Sequence, residues 1–401
     1  MRSDRLRIAF ATQEYVTEAS YDGGIANYVY RTAASLARLG HDVHVITLSY
    51  EDEAQFQHHG ISVHRVTFDK RWLQLNRITR YRLTTTLHLL ALSAAVFQKL
   101  KQLNHEQAFD LIQFPNCGYS GLFSILFLRV PHVLRASWNE PEWNKSDELR
   151  PTMDSRARAL IERLQFRLSP NVYAPSRTLQ KILNGTESSA SVRVISPPCY
   201  LETTKWDYSI RNQLLPDKDY CLFVGRFELR KGFHILAQAL PVLLEKFPNA
   251  CAVLVGRDKP SELAPSMAEY ARFACQAFGD RLIVIDQIPH RQLYPIIDGA
   301  RLVVLPSLID NLPNACLEAM ALGKAVVGTA GASFEELIDH GENGFLVAPN
   351  NVAALAETLV EAWAKEGLDR IGLRARETVA DLSPETTIPA LIDYYREIIQ
   401  A

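Results

Sequence analysis

Residues 21–48 read YDGGIANYVYRTAASLARLGHDVHVITL, and the fold turns on how this stretch is parsed. A glycine pair, Gly23 and Gly24, precedes apolar residues at helical spacing: Ile25, Val29, Leu36 and Leu39. Gly40 then stops the helix. The next residues, DVHVITL, alternate and are β-branched, which reads as a strand. A short apolar run, LRIAFAT at residues 6–12, lies upstream. Together these make a strand–loop–helix–strand unit, whose strands pair in parallel because the helix carries the chain back.

Working outward, the alternation continues through ISVHRVTF, a long helix over residues 83–103, FDLIQFP, VPHVLRAS, a helix over 156–168, NVYAPS and VRVISP. Residues 197–218, PPCYLETTKWDYSIRNQLLPDK, break it; they are rich in proline and polar residues and read as a linker. A second series follows: DYCLFVGR, a helix over 232–246, ACAVLVGR, a helix around 262–277, RLIVIDQI, a short helix over 291–297, ARLVVLPS, a helix from residue 314, KAVVGTA, a helix around 334–340, and GFLVAP. Apolar strands alternating with helices predict two α/β, Rossmann-like domains, each a parallel sheet covered on both faces. Their expected bounds are 1–200 and 201–382, with an amphipathic helix at 383–401 packing back on the first. Two such domains are expected to leave a cleft at the carboxyl ends of their strands.

Composition narrows the function. The chain has 401 residues, 47% hydrophobic and 22% charged, as in globular proteins, and a net charge of −2 that argues against a nucleic-acid partner. The charge is uneven: residues 1–200 carry +6 and the remainder −8. The first half can therefore lean on an anionic surface or an anionic acceptor. Its densest basic stretch, DKRWLQLNRITRYR, reads as a solvated helix face, or alternatively as a peripheral contact at the inner face of a membrane. The opening MRSDRLRIAFAT lacks a cleavable leader, and the longest apolar stretch, residues 83–98, is too short and polar to span a bilayer. A cytosolic location follows as the expectation. Six cysteines are scattered without metal-ligand spacing and read as buried thiols.

Three stretches carry chemistry. Gly23 and Gly24 stand where a strand gives way to a helix, a setting that suits either a close-lying anion or a plain tight turn. FVGRFELRKGFHIL puts Gly225 and Arg226 at a strand end and Lys231 just before a helix, two cations able to hold a diphosphate, while Arg230 reads as surface. LPSLIDNLPNACLEAM, residues 305–320, ends a strand and starts a helix, with Pro313 in its first turn and Asn311 or Leu312 as its cap. It holds Asp310 in the loop and Glu318 in the helix, the loop acid within reach of a ligand's far hydroxyls and the helix acid within reach of a ribose.

GGIANYV, VGRFELRKG, PSLIDNLPNACLEAMALGKAVVGT and GENGFLV resemble the signature elements of the GT-B glycosyltransferases of family 4, a retaining group that uses nucleotide sugars. Its hallmark is two acids separated by seven residues; Asp310 and Glu318 match, with Asp in place of the first Glu. The resemblance implies that Glu318 holds the donor's ribose, and that Asp310 with the amides of Asn311 and Leu312 holds the transferred hexose. Arg226 and Lys231 would neutralise the departing diphosphate, work done by a divalent metal elsewhere, so no cofactor or metal is expected. Gly23 and Gly24 would approach the phosphates, and the backbone at Ile288 the base. The usual first-domain histidine is replaced here by Ser137 or Trp138. Arg135, Ser137, Asn139 and Glu140 are the candidates for the hydroxyl-acceptor side. The expected activity is transfer of a hexose-type sugar from a nucleotide diphosphate sugar in glycoconjugate or polysaccharide synthesis. A nucleotide-sugar epimerase of the same fold and a non-catalytic sugar-nucleotide binder are the rival readings.

Overall fold

The computed structural model describes residues 5–18, 24–137, 152–186, 191–201, 205–215 and 219–401; Gly23, Trp138, Asn139 and Glu140 lie outside the described residues. The chain divides into two units, Met1–Pro198 with Pro384–Ala401, and Cys199–Ser383.

In the first unit, eight strands form one sheet: β1 (Arg7–Thr12), β2 (Asp42–Leu48), β3 (Ala54–His58), β4 (Ile61–Val66), β5 (Leu111–Pro115), β6 (His132–Arg135), β7 (Val172–Ala174) and β8 (Arg193–Val194). Their order is β3-β4-β2-β1-β5-β6-β7-β8. Period-two alternation sends successive β1 residues to opposite faces. Ile8 and Phe10 pack with Val29 and Leu36 of helix Gly24–Arg38, while Ala9 and Ala11 pack with Leu92 and Val96 of helix Thr84–Glu106. Each buried aliphatic or aromatic side chain contributes roughly 2 kcal/mol. The terminal helix Pro384–Gln400 adds Ile388, Leu391, Tyr395 and Ile398 to the first of these layers.

The second unit holds a six-stranded parallel sheet of β9 (Asp219–Val224), β10 (Ala250–Val255), β11 (Leu282–Ile285), β12 (Leu302–Leu305), β13 (Val326–Thr329) and β14 (Phe345–Val347). The order is β11-β10-β9-β12-β13-β14. The chain proceeds outward from β9 in one direction and then from β12 in the other. The gap beyond the ends of β9 and β12 is therefore the topological switch point, where such sheets take ligands. In the first unit the equivalent point lies between β1 and β5.

Several expectations need correction. The first sheet is not wholly parallel, because β3 pairs antiparallel with β4; its sequence, AQFQH, is too polar to announce a strand. Residues 197–218 are more than a linker. Cys199 and Leu215 are buried in the second core, Trp206 and Ile210 pack against it, and Ser209–Leu214 is a short helix. The helix expected around 262–277 is limited to Met267–Ala274, since Asp258 accepts hydrogen bonds from the amides of Met267 and Ala268 and fixes its start. Residues 334–340 hold a single 3-10 turn, Phe334–Glu336, as Ser333 enters it with φ 64°. All six cysteines are buried and none forms a disulfide.

Candidate functional site

The loop after β9 and the loop after β12 touch because glycine lets them. A Cβ on Gly232 would lie 1.8 Å from the Pro306 carbonyl oxygen, and in the neighbouring loop after β10 one on Gly256 would lie 1.9 Å from the carbonyl oxygen of Gly225. No side chain fits either place. The Leu308 amide donates to the Arg230 carbonyl at 2.8 Å, locking the two loops together. Lys231 Nζ thereby reaches Asp310 Oδ2 and forms an ion pair between residues 79 positions apart.

Asp310 is densely held. Ser307 Oγ donates to its Oδ2 at 3.3 Å, the Asn311 amide to its Oδ1 at 3.0 Å, and Ser333 Oγ to its carbonyl at 2.9 Å. Burial pushes the Asp310 carboxyl up, but the Lys231 ammonium, Arg230 and the hydrogen bonds from Lys231 and the Asn311 amide outweigh it and leave the carboxyl below its usual range. The next residue but one, Leu312, is buried with φ 64°, a conformation that costs a bulky residue on the order of 1–3 kcal/mol. Packing around the loop over-determines it.

Pro313 is not in the first turn of the following helix. It caps the helix Asn314–Ala321 in an extended conformation, and neither Asn311 nor Leu312 serves as the cap. Glu318 is 2% exposed inside that helix, with His290 Nε2 at 3.6 Å from its Oε1. His290 opens the helix His290–Gly299 just beyond Ile288, which is half-buried after β11. Sequence reading passed over His290, although IPH at a helix start was the available signal. Arg226 pairs with Glu228 at 3.3 Å and remains one-third exposed. Arg230, expected at the surface, is instead 4% exposed and hydrogen-bonded to the same Glu228. The site thus gathers Gly225, Arg226, Lys231, Asp310, Asn311 and Leu312 at one switch point, with Ser307, Ser333 and Glu228 as partners that local sequence did not reveal. Among the described residues there is no cluster of side chains suited to hold a metal ion.

The first unit has its own convergence at the ends of β1, β5 and β6. Phe10, Ala11, Ile25, Tyr28, Val29, Gln113, Pro115 and Arg135 line a small cavity there. Arg135 is 8% exposed, its guanidinium lies 3.6 Å from the centroid of the Tyr28 ring, and its Nη1 donates to Ser137 Oγ. The Ser137 amide donates to Asn116 Oδ1 at 2.7 Å, and Asn116 Nδ2 donates to Glu162 at 2.6 Å. Behind Tyr28, its hydroxyl meets that of Tyr173 at 2.5 Å, and Gln113 Oε1 accepts from the hydroxyls of Tyr173 and Tyr395. Burial drives the phenol pKa values of Tyr173 and Tyr395 well above normal, so these two phenols stay neutral. Gly24 begins its helix with open space where a side chain would stand. His132, on β6, is half-buried and burial lowers its pKa, as befits a packing residue.

Known proteins are similar along the whole chain. The family described as "Glycosyl transferases group 1" matches residues 218–365, and "Glycosyl transferase 4-like domain" matches residues 23–198. An uncharacterised glycosyltransferase of Methanocaldococcus jannaschii is 25% identical over 382 residues, covering 91% of this chain and 89% of the relative. A D-inositol 3-phosphate glycosyltransferase of Corynebacterium urealyticum is 24% identical over 405 residues, covering 94% and 91%. Among solved structures, sucrose-phosphate synthase from Thermosynechococcus elongatus superposes with a TM-score of 0.79 at 22% identity, covering 99% of this chain and 100% of that one. Anabaena HepE, solved with UDP and glucose, superposes at 0.74 with 18% identity, covering 98% and 100%. These two likenesses give the fold. With both family matches falling on the two units just described, the chain belongs to the glycosyl transferases group 1 and is a GT-B glycosyltransferase of the family 4 type.

Proposed function

We propose that the chain transfers a hexose-type sugar, with retention at the anomeric carbon, from a nucleotide diphosphate sugar held by the second unit to a hydroxyl acceptor. The observation that carries this reading is the Lys231–Asp310 ion pair at the switch point, with Arg226 beside it. Lys231 and Arg226 put cations where a diphosphate leaves, and Asp310 puts an acceptor oxygen where sugar hydroxyls bind. Glu318 takes the ribose and the Ile288 backbone the base. Relatives agree in kind: HepE has been solved with UDP-glucose, and a relative is named for transfer to D-inositol 3-phosphate.

In the step itself the acceptor oxygen bonds to the sugar's first carbon as that carbon's bond to the diphosphate oxygen breaks. The bond electrons go to the diphosphate, and the hydroxyl proton follows them on the same face. Products are a glycoside and a nucleoside diphosphate. Because two side-chain cations meet the leaving group, turnover is expected to persist in EDTA.

A panel of nucleotide sugars tests this, first by thermal stabilisation and then by nucleotide release and the product's anomeric configuration. At least one donor should raise Tm, and Arg226→Ala should reduce its turnover by about 100-fold or more. Near-normal turnover in that variant, or an inverted product, would overturn the reading.

A lesser proposal concerns location. No described helix is long and apolar enough to cross a membrane. Ile78, Tyr81 and Phe127 are nevertheless exposed. Ile78 and Tyr81 share their stretch with Arg71, Arg77, Arg80 and Arg82, which suits peripheral contact with an anionic bilayer. Co-sedimentation with anionic but not neutral vesicles is the expected result.

A further inference from the structure

We infer that the acceptor carries an anionic group, a phosphate or a carboxylate, and that Arg135 receives it. This rests on the transferase reading for the word acceptor, but the anion site stands on the first unit alone.

Among the described residues, Arg135 is a buried cation left without an acid. It occupies the last position of β6, in register with Pro115 on β5 and Tyr173 on β7, at the carboxyl end of the sheet. Only 8% of it is exposed, its Nε is buried with no hydrogen-bond partner, and among the described residues it makes no ion pair. Glu14 and Glu162 exert their charge at this end of the sheet, where both act on Cys117, and the Glu162 carboxylate is linked to Arg135 through Asn116 and Ser137. The phenols beneath are neutral, so no tyrosinate compensates it.

Burying a guanidinium without a counter-charge is costly. The cost is sustained by a seat built for it. Tyr28 supplies a ring face, and Tyr28 is fixed in turn by Tyr173 and Gln113. Among the described residues Arg135 is also the one charged side chain lining the cavity, whose other walls are aliphatic, aromatic or amide. A preorganised, partly unsatisfied guanidinium in an apolar recess matches a planar carboxylate or a phosphate, which it meets with a fork of donors. The surplus of positive charge over residues 1–200 acts in the same direction.

Binding of inorganic phosphate, glucose 6-phosphate, glucuronate and glucose to the full chain tests the inference by calorimetry, with and without saturating nucleoside diphosphate. Wild type should bind at least one anionic probe and not glucose, and Arg135→Met should weaken that binding by about 30-fold or more. Glucose 6-phosphate against glucuronate tells phosphate from carboxylate. Arg135→Met should leave the ligand-free Tm equal to or above wild type, since an uncompensated buried charge is removed, and Arg135→Lys should retain part of the affinity. Equal anion affinity in wild type and Arg135→Met, or no binding to wild type, overturns the inference. So does displacement of the anion by the nucleoside diphosphate, which would assign Arg135 to the donor. If instead no nucleotide sugar stabilises the chain while phosphate binds through Arg135, it is the transferase reading that fails.

Discussion

The strand ends of the two sheets carry their cations in opposite company. At the second sheet, Arg226, Arg230 and Lys231 each sit against an acid, Glu228 or Asp310. At the first, Arg135 lies on a tyrosine ring, with its charge answered by no carboxylate among the described residues. A site whose charges are already paired is rigid before its ligand arrives, and a diphosphate then adds to an ordered array. An unpaired cation is complete only when the ligand supplies the missing charge. The two ends therefore respond differently to losing a cation.

The largest contrast is in Lys231→Ala. It removes a diphosphate cation and strands the Asp310 carboxylate, which is largely buried. Turnover should fall by about 1,000-fold, and stability by roughly 3 kcal/mol because a charge loses its partner. Nucleotide release and calorimetry measure the two. Arg135→Met should cost no stability at all, so equal destabilisation by the two substitutions would erase the distinction between the ends.

How far the sequence foretold this depends on range. The strand, loop and helix of residues 305–320 were readable because proline and apolar period mark them locally, though the cap fell on Pro313 and not on Asn311 or Leu312. The glycine-led turn at Gly225 was readable for the same reason. The Lys231–Asp310 pair was not, since it requires β9 and β12 to be neighbours, a product of chain topology and not of any local signal. Arg135 could be chosen as a site residue from its place after an apolar run. That it has no acid partner among the described residues emerges only when Tyr28, then Gln113 and Asn116, and then Tyr395 are brought around it from three distant segments. Trp206 and Leu215 misled in the opposite sense: set among prolines and charges, they look like linker until the second core buries them.

A second contrast is in acid. The first unit buries His64 completely, with His44 Nδ1 at 3.0 Å from its Nε2 and the two rings nearly parallel. Burial, then the charges of His44, Lys99 and Arg7, push His64 down to about 4 from 6.5. Between those values the unfolded chain binds a proton that the folded chain refuses, so stability falls as pH falls from about 6.5 to 4. The loss approaches ~3 kcal/mol at the lower end. Asp310, depressed below the usual carboxylate range, keeps its contribution through that window and loses it only at lower pH. Hydrogen exchange across a pH series should show β1, β2 and β4 loosening before β9 and β12. His64→Gln should flatten the first response, and an unchanged slope in that variant would place the acid sensitivity elsewhere.

The smallest effect probes what supports Arg135. Tyr395 lies on the terminal helix Pro384–Gln400 and donates to Gln113 Oε1, which also accepts from Tyr173 at 2.8 Å. Removing the Tyr395 hydroxyl leaves no orphaned acceptor, because Tyr173 still satisfies that oxygen. Tyr395→Phe should therefore cost only about 1 kcal/mol, the net worth of one hydrogen bond, read as a shift in urea midpoint at constant slope. Its reach is longer than its size. Gln113 and Tyr173 hold the Tyr28 hydroxyl, and the Tyr28 ring holds the guanidinium. If the network acts as separate bonds, phosphate affinity is unchanged in Tyr395→Phe. If it acts as one cooperative body, the loss of stability exceeds roughly 2 kcal/mol and anion affinity falls with it. In that case Tyr395, 222 residues beyond Tyr173 along the chain and in the same unit, makes the terminal helix part of what keeps a bare cation in place.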